Sequence, residues 1–460
     1  MTKEGFDLAI LGGGPGGYAT AFFSHSLGLR PVVIEKDLVG GTCLHRGCIP
    51  AKAWLHTAAT YAAAAEAGTF GVDVSDLALD WQKASTRKDT VVSSLHGGLE
   101  RTFRQREIPV IKGRGRLAAP GRIQVAAAGS DLVVEADAIV LATGSRPHAV
   151  PGFDFDGRRI VSSDDALGWE DQPERVVIIG GGAIGCEFAS LLSDLGSQVT
   201  VIEMMDQLVP GVEPEVAAEL QRSLRRRGVR FHLGAAAGRP SITDGCVLVD
   251  VAGTTVEADA VLVAVGRRPN TDTLGLEELG IEMTRGYVKA DPSTMETSVA
   301  GVFAVGDVVA GTPQLAHVGF AEGLAVAEFL ATGQPTPVAY DAIPLVVYTR
   351  PEVAQVGLTE SSARASGIDV VTHQRPYGGG GRAVIRGEKR GLVKLVVSES
   401  DRLVGASVIG PEAGELIHEL MITLGTESDV GAVGHLIHAH PTLSETVGDT
   451  LLAAAGLGLH

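Results

Sequence analysis

What most constrains this chain is a pattern that occurs twice. Residues 6–17 read FDLAILGGGPGG, and residues 175–185 read RVVIIGGGAIG. Each is an apolar, strand-like run entering a glycine fingerprint: Gly12, Gly14 and Gly17 in the first copy, Gly180, Gly182 and Gly185 in the second. A helix-compatible run follows each, then a second apolar run, PVVIE or QVTVIE, ending in an acid. From Gly12 to Glu35 is 23 positions, and from Gly180 to Glu203 is again 23. In GxGxxG the first glycine turns strand into helix, the second lets backbone approach a pyrophosphate, and the third packs helix on sheet. The phosphates then meet the positive end of a helix, and the acid accepts ribose hydroxyls. One such loop is a weak signal, because glycine turns are common. Two copies with matching strands and acids imply two dinucleotide-binding βαβ units.

Each copy also closes alike, in DAIVLATGSRP and DAVLVAVGRRPN. Helical runs are expected at roughly 51–67 and 83–107. From about residue 341 the texture changes to alternating strands, LVKLVV and RLVGASVIG, followed by a helical run, EAGELIHELMITLG. That pattern predicts a separate α+β layer, and 460 residues are too many for one core. Glu203 bears on the nucleotide. A carboxylate there repels a 2′-phosphate, and VIEMMDQ lacks the arginine that would hold one, so NAD is expected over NADP.

Of four cysteines, Cys43 and Cys48 lie together in GGTCLHRGCIPAK. Four are too few for a disulfide scaffold, and zinc takes more ligands than one cysteine pair supplies, so no metal is expected. A structural bridge closing so short a loop gains little stability. A redox pair explains more. Pro50 and the run AKAWLHTAAT predict a helix beginning at the pair, whose N-terminal field favours a thiolate. The net charge of −17 disfavours nucleic acid and anionic membranes as partners. The opening apolar run is too short for a signal peptide, no stretch is long enough to cross a bilayer, and a cytoplasmic protein is expected.

GGTCLHRGCIPAK resembles the redox motif of the pyridine nucleotide-disulfide oxidoreductases. ETSVAGVFAVGDV resembles the family's second FAD motif, and QLAHVGFAEG, YDAIPLVVYTRPEVAQVGLTE and HAHPTLSE follow in the family's order. The resemblance covers essentially the whole chain, and the redox and HAHPTLSE phrases look most like the family's dihydrolipoamide-oxidising branch. It implies an α/β fold of two Rossmann-like domains, for FAD and NAD, plus a C-terminal α+β dimerisation domain. The segments would be 1–148 (FAD), 149–269 (NAD), 270–340 (FAD domain, second part) and 341–460 (interface).

By that resemblance FAD would engage Gly12, Gly14, Gly17, Glu35, Thr42, Lys52, Thr143, Gly144, Asp307 and Ala316. NAD would engage Gly180, Gly182, Gly185, Glu203 and Gly266. Cys43 would be the interchange thiol and Cys48 the thiolate beside the flavin. Lys52 would approach the flavin and pair with Glu187. His440 would be the general base, oriented by Glu445, and would serve the cysteines of the other subunit in a homodimer. The implied activity is oxidation of dihydrolipoyl groups with NAD⁺ as acceptor. The donor would be free dihydrolipoamide or a lipoyl-bearing protein, with a 2-oxo acid dehydrogenase or glycine cleavage complex as possible host. The alternatives are reduction of another small disulfide, glutathione or mycothione, and a redox-inactive flavoprotein scaffold.

Plainer readings stand beside these. HPTLSE can be a helix start, with Pro441 in the first turn and Thr442–Glu445 as a capping box. His435 and His438 read as packing or surface groups, Cys186 as a buried small residue, and Cys246 as part of a strand. RSLRRRG reads as a solvated helix face, and the Gly378–Gly381 stretch as a mobile or specialised loop.

Overall fold

A computed structural model describes residues 5–127, 129–243 and 245–458. The chain divides into two compact units. The first comprises the residues up to Ala53, Ser85–His148 and Arg267–Val338; the second comprises Trp54–Ala84, Ala149–Gly266 and the residues from Ala339 onward.

In the first unit, strand Phe6–Leu11 lies between Pro31–Glu35 and Ser130–Leu141, all parallel where they pair with it. Val110–Lys112 extends one edge, and Val302–Ala304 pairs with the far side of Ser130–Leu141. Leu8, Ile10, Val32, Val33 and Ile34 are buried. A parallel sheet covered on both faces needs apolar side chains on both, so these runs are continuous rather than alternating. The long strand changes partner partway. Residues 136–141 run parallel to the first strand, and residues 130–135 pair antiparallel with Arg122–Ala127. Helix Pro15–Ser26 packs closely on Ala316–Thr332 because glycines face each other, and a Cβ at Gly319 would stand 3.3 Å from the Gly16 Cα.

The second unit contains the repeated βαβ pattern. Its five-stranded sheet runs in the order Arg230–His232, Gln198–Ile202, Arg175–Ile179, Ala260–Val263 and Ile160–Val161, all parallel. The C-terminal part is a five-stranded antiparallel sheet. Helices Ala413–Gly425 and Ser444–Ala454 bury Ile417, Leu420, Val447 and Leu451 in the core they share with it. The chain thus has the expected mixed α/β architecture, with parallel sheets followed by an antiparallel C-terminal domain. No described helix is long and apolar enough to cross a membrane.

Three local expectations change. Cys246 lies one residue before strand Val247–Val251 rather than inside it. The arginine run is not wholly solvated: Arg227 meets Asp194 at 2.7 Å, with side chains only 15% and 4% exposed. The glycine-rich stretch is anchored, because Tyr377 is fully buried and opens a 3₁₀ turn that leads to the short helix Gly381–Ile385.

An ion cluster, buried at Lys394 and Glu213 and open to solvent at Glu215, ties the second βαβ copy to the C-terminal sheet. The Lys394 ammonium, on strand Leu392–Ser398, lies 2.9 Å from Glu213, 3.1 Å from Glu215 and 3.1 Å from Glu360. The three carboxylates are close enough together to hold a cation, and the lysine is that cation. Burial alone would lower its pKa, but the hydrogen bonds to the three carboxylates carry it above the ordinary lysine value. Removing the lysine strands the buried Glu213 carboxylate without counter-charge, at a cost of about 3–5 kcal/mol. Lys394→Met should therefore destabilise the protein by about that amount in urea unfolding. A loss below about 1 kcal/mol, the range of exposed ion pairs, would contradict the cluster's role.

Candidate active site

The two glycine turns repeat each other in atomic detail. Gly12 has φ +111°, and a Cβ there would stand 2.3 Å from the Ala142 carbonyl oxygen. Gly180 has φ +105°, and its Cβ would stand 2.5 Å from the Ala264 carbonyl oxygen. The third glycines are tighter still: a Cβ at Gly17 or Gly185 would lie 1.9 Å from the oxygen of Gly12 or Gly180. The protein's own backbone requires glycine at these positions.

The middle glycines are different. A Cβ at Gly182 would meet nothing within 4 Å, and one at Gly14 would meet only Gly41, at 3.9 Å. The open space lies at the starts of helices Pro15–Ser26 and Ala183–Asp194. Neither helix has a capping side chain or an acid in its first turn. Backbone N–H groups facing open space at a helix start suit a pyrophosphate, so these residues fit a dinucleotide in each copy.

The strand-end acids carry a second duty that the sequence reading missed. Glu35 accepts the Gly13 N–H at 2.7 Å and the Asp37 N–H at 2.8 Å. Glu203 accepts the Gly181 N–H at 2.6 Å and the Met205 N–H at 2.7 Å. Each acid therefore pins the turn, and a carboxylate with two such bonds keeps lone pairs for hydroxyls. The available signal was the extra glycine in the centre of each GGG run: a Cβ at Gly13 would press on Glu35 at 3.3 Å, and one at Gly181 on Glu203 at 3.2 Å.

The repeated closing segments meet. Ser145–Pro147 pairs antiparallel with Arg267–Pro269. Thr143 donates its hydroxyl to the Asn270 carbonyl at 2.7 Å, and Gly144 accepts the Asn270 N–H at 2.8 Å. Gly144 and Gly266 both have positive φ. Asp307, in the turn Gly306–Val308, accepts the Ser145 hydroxyl, which in turn accepts from Arg267 Nε at 2.7 Å. Ala316 opens helix Ala316–Thr332, again without a capping side chain.

Cys43 lies with Thr42 in the short helix Gly41–Arg46, and Cys48 opens the helix Cys48–Glu66 that also carries Lys52. Pro50 is tolerated because it falls in the first turn, and the alanine-rich run behind it favours helix. Both cysteines are reduced and they share a hydrogen bond. That bond, burial and the charge of Cys48 push the Cys43 thiol up, with Lys52 opposing. In the reduced pair Cys43 thus retains its proton. Tyr18, a neighbour that sequence reasoning missed, is pushed up to about 12 by burial and by the two cysteines, so it stays a neutral phenol.

Glu187 is buried on helix Ala183–Asp194 and accepts the Tyr348 N–H at 3.1 Å. His440 Nδ1 lies 2.8 Å from Glu445 Oε1, and the other oxygen of Glu445 accepts the Thr442 N–H at 2.8 Å. The Thr442 N–H and then His440 hold the Glu445 carboxyl below the usual range. The His440 side chain is 79% exposed. The capping box expected here is only half formed. Helix Ser444–Ala454 starts beyond Pro441, and the Thr442 hydroxyl turns back to the Ala439 carbonyl. The cysteine pair belongs to the first unit and the histidine–glutamate dyad to the second.

Two dinucleotide turns and a dithiol at a helix start define a flavoprotein disulfide oxidoreductase. A model of the pyridine nucleotide-disulphide oxidoreductase family matches residues 6–323, and one of its dimerisation domain matches residues 343–451. The chain belongs to this family, whose members bind FAD and NAD(P), and the dimerisation domain supports a homodimer. It is 38% identical to a dihydrolipoyl dehydrogenase of Bacillus subtilis, over 99% of each chain. Its fold is similar to LpdA of Mycobacterium tuberculosis, with a TM-score of 0.90, 29% identity and coverage of 97% of this chain and 99% of that one. It is also similar to the Cu(II) complex of the HOCl-induced flavoprotein disulfide reductase RclA of Escherichia coli, with a TM-score of 0.86, 27% identity and coverage of 98% and 99%.

The glycines give a direct test. Gly185→Ala should lower the melting temperature of the nucleotide-free protein, because the new methyl meets a carbonyl. Gly182→Ala should leave that temperature nearly unchanged but weaken nicotinamide nucleotide binding about tenfold, or about 1.4 kcal/mol. Equal thermal loss in both variants would contradict the assignment of Gly182 to a ligand.

Proposed function

We propose that this chain oxidises dihydrolipoyl dithiols and delivers the electrons to NAD⁺. The observation that carries the reading is the His440–Glu445 dyad at 2.8 Å in a chain that also has an intact Cys43–Cys48 pair. The named identity of the Bacillus subtilis relative supports the dithiol, and Glu203 at the ribose position supports NAD over NADP. FAD, held by the first-copy residues with Thr42, Lys52, Thr143, Gly144, Asp307 and Ala316, supplies a two-electron carrier between dithiol and nicotinamide when bound. NAD would lie along Gly180, Gly182, Gly185, Glu203 and Gly266, and Lys52 would pair with Glu187 near the flavin.

In the oxidised pair, a substrate thiolate attacks the Cys43 sulfur and Cys48 leaves as a thiolate. The second substrate thiol gives its proton to His440 and attacks the substrate sulfur of the mixed disulfide. Cys43 is released, the substrate leaves as a disulfide, and the two electrons stay on the cysteine pair. Glu445 fixes the ring tautomer of His440 and stabilises its imidazolium. The dyad would act on the cysteines of the partner subunit, which makes the homodimer the functional form. The likeness to RclA favours a second reading, reduction of another disulfide at the expense of NAD(P)H.

Steady-state assays separate the two. With NAD⁺, dihydrolipoamide should turn over while glutathione and mycothiol should not. Faster turnover of NADPH with glutathione disulfide or mycothione would overturn the proposal in favour of the second reading.

A further inference from the structure

We propose that His438, two residues before the base, is a positioning residue for His440; this rests on the reading of His440 as the base. The segment that carries them is strongly exposed: Leu436 is 64% exposed, Ile437 100%, and the His440 side chain 79%. His438 is its half-buried anchor, with a side chain 15% exposed. Both ring nitrogens are engaged. Nδ1 lies 3.1 Å from the Leu436 carbonyl oxygen, and Nε2 lies 2.8 Å from Glu419 Oε1. One partner is a backbone carbonyl and the other a carboxylate, so the ring is held from two sides.

The two elements that hold His438 belong to the C-terminal core. Glu419 is on helix Ala413–Gly425, whose Ile417 and Leu420 are fully buried. The imidazole also rests on Gly448 of helix Ser444–Ala454, where a Cβ would stand 2.5 Å from His438 Cε1 and 2.6 Å from Nδ1. Gly448 is three residues after Glu445, so one helix face grips His440 through a carboxylate and receives His438 through a glycine. Alternate residues of one short segment are thus held by two histidine–glutamate pairs, His438 with Glu419 and His440 with Glu445. A histidine that merely covered surface would need neither the second acceptor nor the glycine. Fixing residue 438 this way limits how far the ring of residue 440 can drift from its attack geometry.

Rapid mixing of the FAD-loaded homodimer reads the two half-reactions separately, flavin reduction by dihydrolipoamide and flavin reduction by NADH. His438→Ala should slow the dihydrolipoamide reaction about ten- to a hundredfold, the scale of a small misplacement at a reacting centre, and leave NADH reduction within about twofold. Gly448→Ala should do the same without touching either histidine, because its methyl displaces the His438 ring. His438→Gln, which retains a donor towards Glu419, should recover part of the loss. His440→Gln serves as the reference. If it is slow with dihydrolipoamide while His438→Ala and Gly448→Ala are normal, the positioning role is overturned and the reading of His440 stands. If His440→Gln is itself normal, that reading falls and this inference with it. Equal slowing of both half-reactions by His438→Ala would also overturn the proposal, since general damage spares neither.

Discussion

The Gly181 N–H bond to Glu203, with its twin from Gly13 to Glu35, is the contact on which each dinucleotide fold depends. A charged acceptor makes a strong hydrogen bond to a backbone N–H, and here it joins the end of the second strand to the turn that follows the first. Gly12 and Gly17, or Gly180 and Gly185, then bring turn and helix closer than any side chain allows. The helix start is left facing open space at Gly14 and Gly182, and that space is what a pyrophosphate can use. A single acid thus sets the turn and remains available for a ribose.

Much of this was legible in the sequence because it is local and repeated. The strands are continuous apolar runs, the glycines have fixed offsets, and the second acid confirms the first. The closing segments were recognisable as copies, but their pairing was not, since two three-residue strands have no periodicity of their own. Lys394 was hidden for a similar reason. In LVKLVV it looks like an ordinary polar strand position, and its partners Glu213, Glu215 and Glu360 come from distant segments. Arg227 looked solvated because Arg225 and Arg226 beside it read as surface residues; only the fold brings Asp194 to it.

The HAHPTLSE phrase was half legible. Its capping-box reading correctly joined Thr442 to Glu445, but the other oxygen of that carboxylate goes to His440. His438 looked like packing, and it does pack, on Gly448; its bond to Glu419 depends on a helix about twenty residues earlier and could not be read from spacing. Tyr18 was missed because it reads as one more aromatic on an apolar helix, whereas the fold brings it into the field of the two cysteines.

On this account the work is divided. The first unit supplies the dithiol, and the second would supply the proposed base, His440, held by Glu445. The proposed mechanism requires that a base from one subunit serve the cysteines of the other. Purified heterodimers of Cys43→Ser and His440→Gln subunits, assayed for dihydrolipoamide oxidation beside the two homodimers, test it most directly. Each heterodimer should hold one intact site, because one subunit still supplies the dithiol and the other the base. Its turnover should approach half that of the parent while both homodimers stay nearly inactive. Heterodimers as inactive as the homodimers would contradict the claim and place the whole site within one chain.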